Sequence, residues 1–160
     1  DTERGRVVLE PGCVADVLRR AVQTFGARAG DKQIALAVEC PEDLTAPMNA
    51  PLLEQAVGNL LDNAIKYSGA GTRVRVRAAR QGADVEIQVA DQGPGIEKQH
   101  LTRIFERFYR VDQARSRALG GTGLGLAIVK HIALAHRGSV SVASLPGEGS
   151  TFTLRFPTGA

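Results

Sequence analysis

The 160-residue sequence predicts an α+β two-layer sandwich, with three main helices packed on a mixed, mostly antiparallel sheet. Helical and strand-like stretches do not alternate strictly, as a doubly wound parallel sheet would require. Three hairpin-like strand pairs can be picked out instead. Hydrophobic residues make up 43% and charged residues 23%, a globular composition in a chain long enough for one real core.

Each element has its own signal. Residues 7–10 read as a short strand turned by Pro11-Gly12, and residues 14–25 carry apolar side chains at 14, 17, 18, 21, 22 and 25, a helical period. Ile34, Leu36 and Val38 alternate with Ala35 and Ala37 and predict a strand, and residues 41–47 predict a loop. A helix begins near Asn49, a good N-cap with Pro51 in the first turn, and runs to about Tyr67. After a turn at 69–71, strands at 72–79 and 85–90 are joined by Gly82-Ala83-Asp84, a hairpin signature. Residues 91–95 form a turn, 97–105 a short helix and 123–135 a longer one. Strands at 140–143 and 151–156 close the chain around Pro146-Gly147-Glu148-Gly149. There is no internal repeat and no low-complexity segment.

The bulk numbers exclude some functions. A net charge of +3 is too small for a nucleic-acid binder. Arg73, Arg75 and Arg77 alternate with Val74, Val76 and Ala78, which predicts the wet face of a strand rather than a binding patch. No apolar run approaches the roughly 18 residues of a membrane span. Residues 1–6 are polar and lead straight into Val7-Val8-Leu9, so no signal peptide is expected, and the abrupt start suggests a piece of a longer chain. Cys13 and Cys40 have neither C-x-x-C spacing nor nearby histidines; reduced, partly buried thiols are expected, which fits a cytosolic setting.

Three places could carry chemistry. Residues 106–126 run from an arginine-rich stretch into glycines at 120, 121, 123 and 125 and then an apolar helix. Glycines at that density are costly inside a regular element and suit a mobile loop close to a ligand. The N–H groups at the start of the following helix, with the arginines, favour an anion such as phosphate. The second place is Asn59, Asn63 and Lys66, which share one face of a helix. An amide oxygen can ligate Mg²⁺ and a lysine can meet the phosphates it bridges, although on these residues alone an exposed polar face is the plainer reading. The third is Asp91-Gln92-Gly93-Pro94-Gly95 after an apolar strand, where the aspartate could accept from a ligand amine; taken singly, a plain turn explains it as well. Competing motifs fail. There is no P-loop, and Gly121-Thr122-Gly123-Leu124-Gly125 follows no strand and lacks the dinucleotide spacing. His100, His131 and His136 have no metal spacing; His136 is expected near a helix C-terminus, where partial positive charge is tolerated.

The three places occur together and in order. The segment from Asn59 through Asn63 and Lys66 to Tyr67-Ser68 resembles the N box of sensor histidine kinases, and Asp91–Gly95 resembles their first glycine box. Phe105-Glu106-Arg107-Phe108-Tyr109-Arg110 is similar to their F box, Gly121–Leu126 to their second glycine box, and Gly147-Glu148-Gly149-Ser150-Thr151-Phe152 to their closing segment. The match spans about residues 7–157.

This resemblance implies the Bergerat ATP-binding fold shared with DNA gyrase and MutL, in a single domain over 1–160 with an ATP lid at 106–124. Carried over residue by residue, Asn63 would ligate Mg²⁺, Asn59 would line the same site, Lys66 would meet phosphate and Tyr67 would pack near adenine. Asp91 would accept from the adenine amino group, with Gly93 and Gly95 letting the chain pass the base. Arg110 would reach the γ-phosphate, while Phe105 and Phe108 would anchor the lid. Gly121, Gly123 and Gly125 would approach the phosphates. Ile96, Thr122, Leu124 and Leu126 complete the implied ATP-binding set, and Asn59, Asn63 and Arg110 the catalytic one. One departure is Arg137, where a second glycine often follows the histidine.

The resemblance further implies transfer of the γ-phosphoryl group to a histidine on a separate dimerisation domain, in the same or a partner subunit, with a response regulator downstream. His100, His131 and His136 are followed by Leu101, Ile132 and Arg137, not by the usual acidic residue, so the acceptor is expected elsewhere. It also implies a cytoplasmic domain of an inner-membrane-anchored kinase, itself touching neither membrane nor nucleic acid. The rival readings are a nucleotide-controlled binding module without transfer and a conformational ATPase. Residues 110–120 are expected to be mobile without nucleotide.

Overall fold

In the computed structural model, which describes residues 7–110 and 124–159, two-residue periodicity builds one sheet and 3.6-residue periodicity covers one of its faces. The elements in order are β1 (Glu10–Cys13), α1 (Val14–Asp31), β2 (Ala35–Glu39), β3 (Thr45–Met48) and α2 (Ala50–Tyr67). They are followed by β4 (Arg73–Gln81), β5 (Asp84–Asp91), the single turn α3 (Lys98–Leu101), α4 (Gly125–Ala135), β6 (Ser139–Ser144) and β7 (Ser150–Pro157).

Five strands form the main sheet in the order β2-β4-β5-β7-β6. Only β2 and β4 pair in parallel; the other neighbours are antiparallel. The register stacks apolar residues on one face: Val76 opposite Val89, Ile87 opposite Leu154, Val89 opposite Phe152. The other face is wet, and Arg73, Arg75 and Arg77 lie on it as expected, with Arg75 bridging Glu39 at 3.0 Å. Helices α1, α2 and α4 supply the second layer, burying Val17, Leu18, Leu60, Leu61, Ile65, Val129 and Ile132 in the same core. This is the α+β two-layer sandwich that the sequence predicts.

Two short strands differ from expectation. Residues 41–47 are not all loop: Thr45–Met48 is β3, and it pairs antiparallel with β1 in a separate two-stranded ribbon. The first strand is Glu10–Cys13, so Pro11 and Gly12 lie within it rather than turning it. Pro11 pairs with Pro47, an arrangement possible because a two-stranded ribbon has free edges that need no ladder donor. Gly12 leaves room for the Met48 side chain, since a Cβ would sit 2.7 Å from its Sδ. Helix α1 also runs past residue 25 to Asp31.

Helix ends explain much of the rest. The Asn49 side chain accepts from the Leu52 N–H at 3.1 Å, so α2 starts where its cap and Pro51 predict. At its other end the Lys32 ammonium donates to the carbonyls of Ile65 (2.7 Å) and Lys66 (3.1 Å), satisfying orphan acceptors and countering the helix dipole. Helix α4 ends in a Schellman motif, in which Gly138 N–H donates to the Ala133 carbonyl and Arg137 N–H to the Leu134 carbonyl. Arg137 therefore occupies the left-handed position at φ 62°, which is why glycine suits that site.

Candidate functional site

The C-terminal half of α2, the exit of β5 and the start of α4 meet at one end of the sandwich. Asn59, on α2, donates through Nδ2 to the Gly125 carbonyl at 3.3 Å and so fixes the first turn of α4. Four residues on, the Asn63 amide is half-buried and makes no hydrogen bond with the other described residues. Lys66 is 19% exposed, with Nζ 3.1 Å from Asp62 Oδ2. Asp62 in turn lies 2.5 Å from Arg28 Nη1, at an angle that leaves its buried Oδ1 without a hydrogen bond. Tyr67 closes the helix, half-buried.

Asp91 ends β5 and accepts on a single oxygen, Oδ1, from the N–H groups of Gly93 (2.8 Å) and Ser150 (3.3 Å). Burial raises its carboxyl above the ordinary value, and those two donors only partly offset this. The neighbouring turn is packed backbone to backbone. A Cβ on Gly93 would lie 3.0 Å from the Tyr67 carbonyl oxygen, which ties the turn to the end of α2. Gly95, at φ 78°, leaves no room for a Cβ, which would be 2.0 Å from the Leu145 carbonyl. Ile96 N–H donates to Ser144 Oγ at 2.7 Å; that hydroxyl lies 2.8 Å from Ser150 Oγ and donates to the Gly149 carbonyl. The chain Ile96–Ser144–Ser150–Asp91 thus holds the carboxylate from behind.

Phe105 packs edge-on against Phe152 with ring centroids 6.0 Å apart, so it is anchored in the core. Phe108 is not anchored: it is 62% exposed and sits at φ 65°, an uncommon backbone state for a bulky residue. His100 Nδ1 meets the Tyr109 hydroxyl, over whose ring Arg103 stacks at 4.6 Å. Arg110 carries a buried Nε with no hydrogen-bond partner among the described residues. Leu124, Gly125 and Leu126 form the start of α4, whose first residue lacks a side-chain cap. Gly121, Thr122 and Gly123, and with them most of the expected lid, lie outside the described residues.

Among the described residues no three His, Cys, Asp or Glu side chains group for a metal ion. A hard cation could still find one amide oxygen at Asn63, and Mg²⁺ commonly takes only one or two protein ligands, with water and phosphate oxygens completing its shell. Cys13 and Cys40 are free and half-buried, and burial pushes the Cys40 thiol up to about 11. His136 serves structure: it is 2% exposed, donates from Nδ1 to the Ile132 carbonyl and accepts at Nε2 from Asn49 N–H (3.0 Å).

Spacing on α2 finds Asn59, Asn63 and Lys66. It leaves out Asp62, although Asp62 and Lys66 stand at i, i+4 and could have been read as a pair. Arg28, Lys32 and Ser144 give no sequence signal, because they reach these positions from outside α2, the first two from the end of α1 and the third from β6.

The fold is an α+β sandwich that brings a half-buried strand-end carboxylate to the end of a helix carrying two asparagines and a lysine on one face. The sequence matches the family described as histidine kinase-, DNA gyrase B-, and HSP90-like ATPase over residues 48–160, and the chain belongs to that family. It is 47% identical to the sensor-like histidine kinase SenX3 of Mycolicibacterium smegmatis over 144 residues, 90% of this chain but 38% of that protein. The mycobacterial sensor histidine kinase MprB superposes with a TM-score of 0.82 at 33% identity, covering 95% of this chain and 99% of that one. Full-length ShkA in complex with AMPPNP gives 0.83 at 32% identity, covering 95% of this chain and 32% of that one. The chain is thus an ATP-binding catalytic domain of the sensor histidine kinase type.

Proposed function

We propose that this domain, over 1–160, binds Mg·ATP and transfers its γ-phosphoryl group to a histidine on a separate dimerisation domain, for relay to a response regulator. The observation that carries the reading is Asp91, a half-buried carboxylate held through one oxygen by Gly93 and Ser150. Fixing Oδ1 orients Oδ2 as an acceptor for the adenine amino group, which guanine lacks at that position. Gly93 and Gly95 hold the turn beside the base, with Ile96 and Tyr67 as its apolar neighbours. Lys66 and Arg110 meet phosphate, and the buried Nε of Arg110, without a hydrogen-bond partner among the described residues, supports that role. Asn63 holds Mg²⁺ and Asn59 lines the same site; when bound, the ion neutralises charge on the β- and γ-phosphates. The glycines at 121, 123 and 125, with Thr122, Leu124, Leu126 and Phe108, belong to the lid. Catalysis by this chain is then positioning and charge neutralisation rather than covalent chemistry.

ShkA, with AMPPNP bound in its structure, supports the nucleotide reading. No helix among the described residues is long and apolar enough to cross a membrane. We place the domain in the cytoplasm, as part of a kinase anchored in the inner membrane. The test is to mix the chain and Mg·ATP with a helical domain carrying the acceptor histidine. Acid-labile, base-stable phosphate on that partner is expected; ATP binding without transfer would instead favour a nucleotide-controlled binding module.

A further inference from the structure

We infer that Asp62 tunes nucleotide affinity by competing with phosphate for Lys66, and that Arg28 sets the strength of the competition, an inference that rests on Lys66 meeting phosphate as proposed above. At about 100° per residue, Lys66 stands roughly 40° around the α2 axis from Asp62 and 60° from Asn63. It can therefore serve either side. In the structure it serves Asp62, at 3.1 Å, with side-chain exposures of 19% and 27% that limit screening by water. The backbone beneath it is fixed, because Lys32 holds the carbonyls of Ile65 and Lys66. Only the lysine side chain has to swing.

A lysine paired with a carboxylate must give up that pair to meet phosphate, and the loss depends on what else neutralises the carboxylate. Here Arg28 of α1 reaches Asp62 Oδ1 at 2.5 Å. Its guanidinium also lies 5.5 Å from the Phe25 ring centroid, and that ring fills the notch left by Gly58 on α2. Helix α1 thereby touches the nucleotide-facing helix at two points one turn apart, Gly58 and Asp62. With Arg28 in place Asp62 keeps a partner when Lys66 leaves; without it Asp62 holds Lys66 more tightly.

The signs make the test sharp. ATP and adenosine are titrated calorimetrically into the chain and into D62N, K66M, R28Q and the doubles D62N/K66M and R28Q/D62N, with melting curves to confirm folding and D62S as a second variant. D62N should bind ATP about threefold tighter, as expected for one partly exposed helical ion pair, and adenosine unchanged. K66M should weaken ATP, and adding D62N to it should restore nothing. R28Q should weaken ATP about twofold, an effect that disappears in the D62N background. A D62N gain that persists in K66M would mean only that a negative charge was removed, and the inference falls; so it does if D62N leaves ATP affinity unchanged. If K66M itself leaves ATP affinity unchanged, the phosphate role of Lys66 fails and the competition with it.

Discussion

At the scale of single residues, Asp91 sets function against stability. Its carboxyl is raised in the folded state chiefly by burial. The unfolded chain therefore loses this proton at lower pH than the folded one. Ionised Asp91 costs stability above its raised folded-state pKa, and the cost disappears as pH falls below the ordinary carboxylate range. Asp91→Asn keeps an acceptor for Gly93 and Ser150 but presents its ligand-facing side as an amide. It should melt no lower than the parent at neutral pH, with any advantage shrinking as pH falls through that range. It should bind ATP roughly 10- to 100-fold more weakly, the effect of one unpaired buried polar contact. Unchanged ATP affinity by calorimetry would remove Asp91 from the site. Asn63→Ala makes a separate prediction: ATP affinity should become insensitive to replacing Mg²⁺ with EDTA.

At the scale of elements, the helix ends are what hold the site in register. Helices α2 and α4 are joined at two polar points, Asn59 to the Gly125 carbonyl near the site and Asn49 N–H to His136 at the far end. His136→Ala leaves the Asn49 N–H unpaired beside a cavity, while the Ile132 carbonyl keeps the N–H of residue 136, and should cost about 2–4 kcal/mol in chemical denaturation. Both Gln33 and Arg137 stand in left-handed turns closing α1 and α4, at φ 60° and 62°. Gln33→Gly and Arg137→Gly should each stabilise by about 1 kcal/mol; a loss of stability would show that their side chains make contacts worth more than the backbone strain. Much at this scale was legible in the sequence: α2 from Asn49, Pro51 and its period, the β4–β5 hairpin from Gly82, the last hairpin from its two glycines. The β1–β3 ribbon was not, because Pro11, Gly12 and Pro47 are turn formers whose use in a strand depends on a partner distant in the chain. The end of α1 was missed because the apolar period stops at Phe25, while Ala29 and Ile34 reach the core beyond it.

At the scale of the whole molecule, the order β2-β4-β5-β7-β6 brings Asp91 and Ser150 side by side, though 59 residues separate them, and no local pattern announces that pairing. Asn59, Asn63 and Asp91 were legible because one helix face and one strand end carry them. Arg28, Lys32 and Ser144 were not, because α1, the residue that ends it and the last residue of β6 reach these positions only in the folded chain; Asp62 was readable only as the i, i+4 partner of Lys66. A site assembled from that many elements should stabilise all of them when it is filled. Mg·ATP at 100 times its dissociation constant adds about 2.7 kcal/mol of folding stability by mass action alone. For a domain of this size that corresponds to a rise in Tm of about 5–10 °C, measurable by scanning calorimetry. Mg·GTP at the same concentration should give little rise, since Asp91 offers an acceptor where guanine has no amino group to donate. The Asp91→Asn variant should lose most of the ATP-dependent rise while keeping its ligand-free Tm. An equal rise with ATP and GTP would mean that the phosphates alone are recognised and that the β5 exit does not read the base.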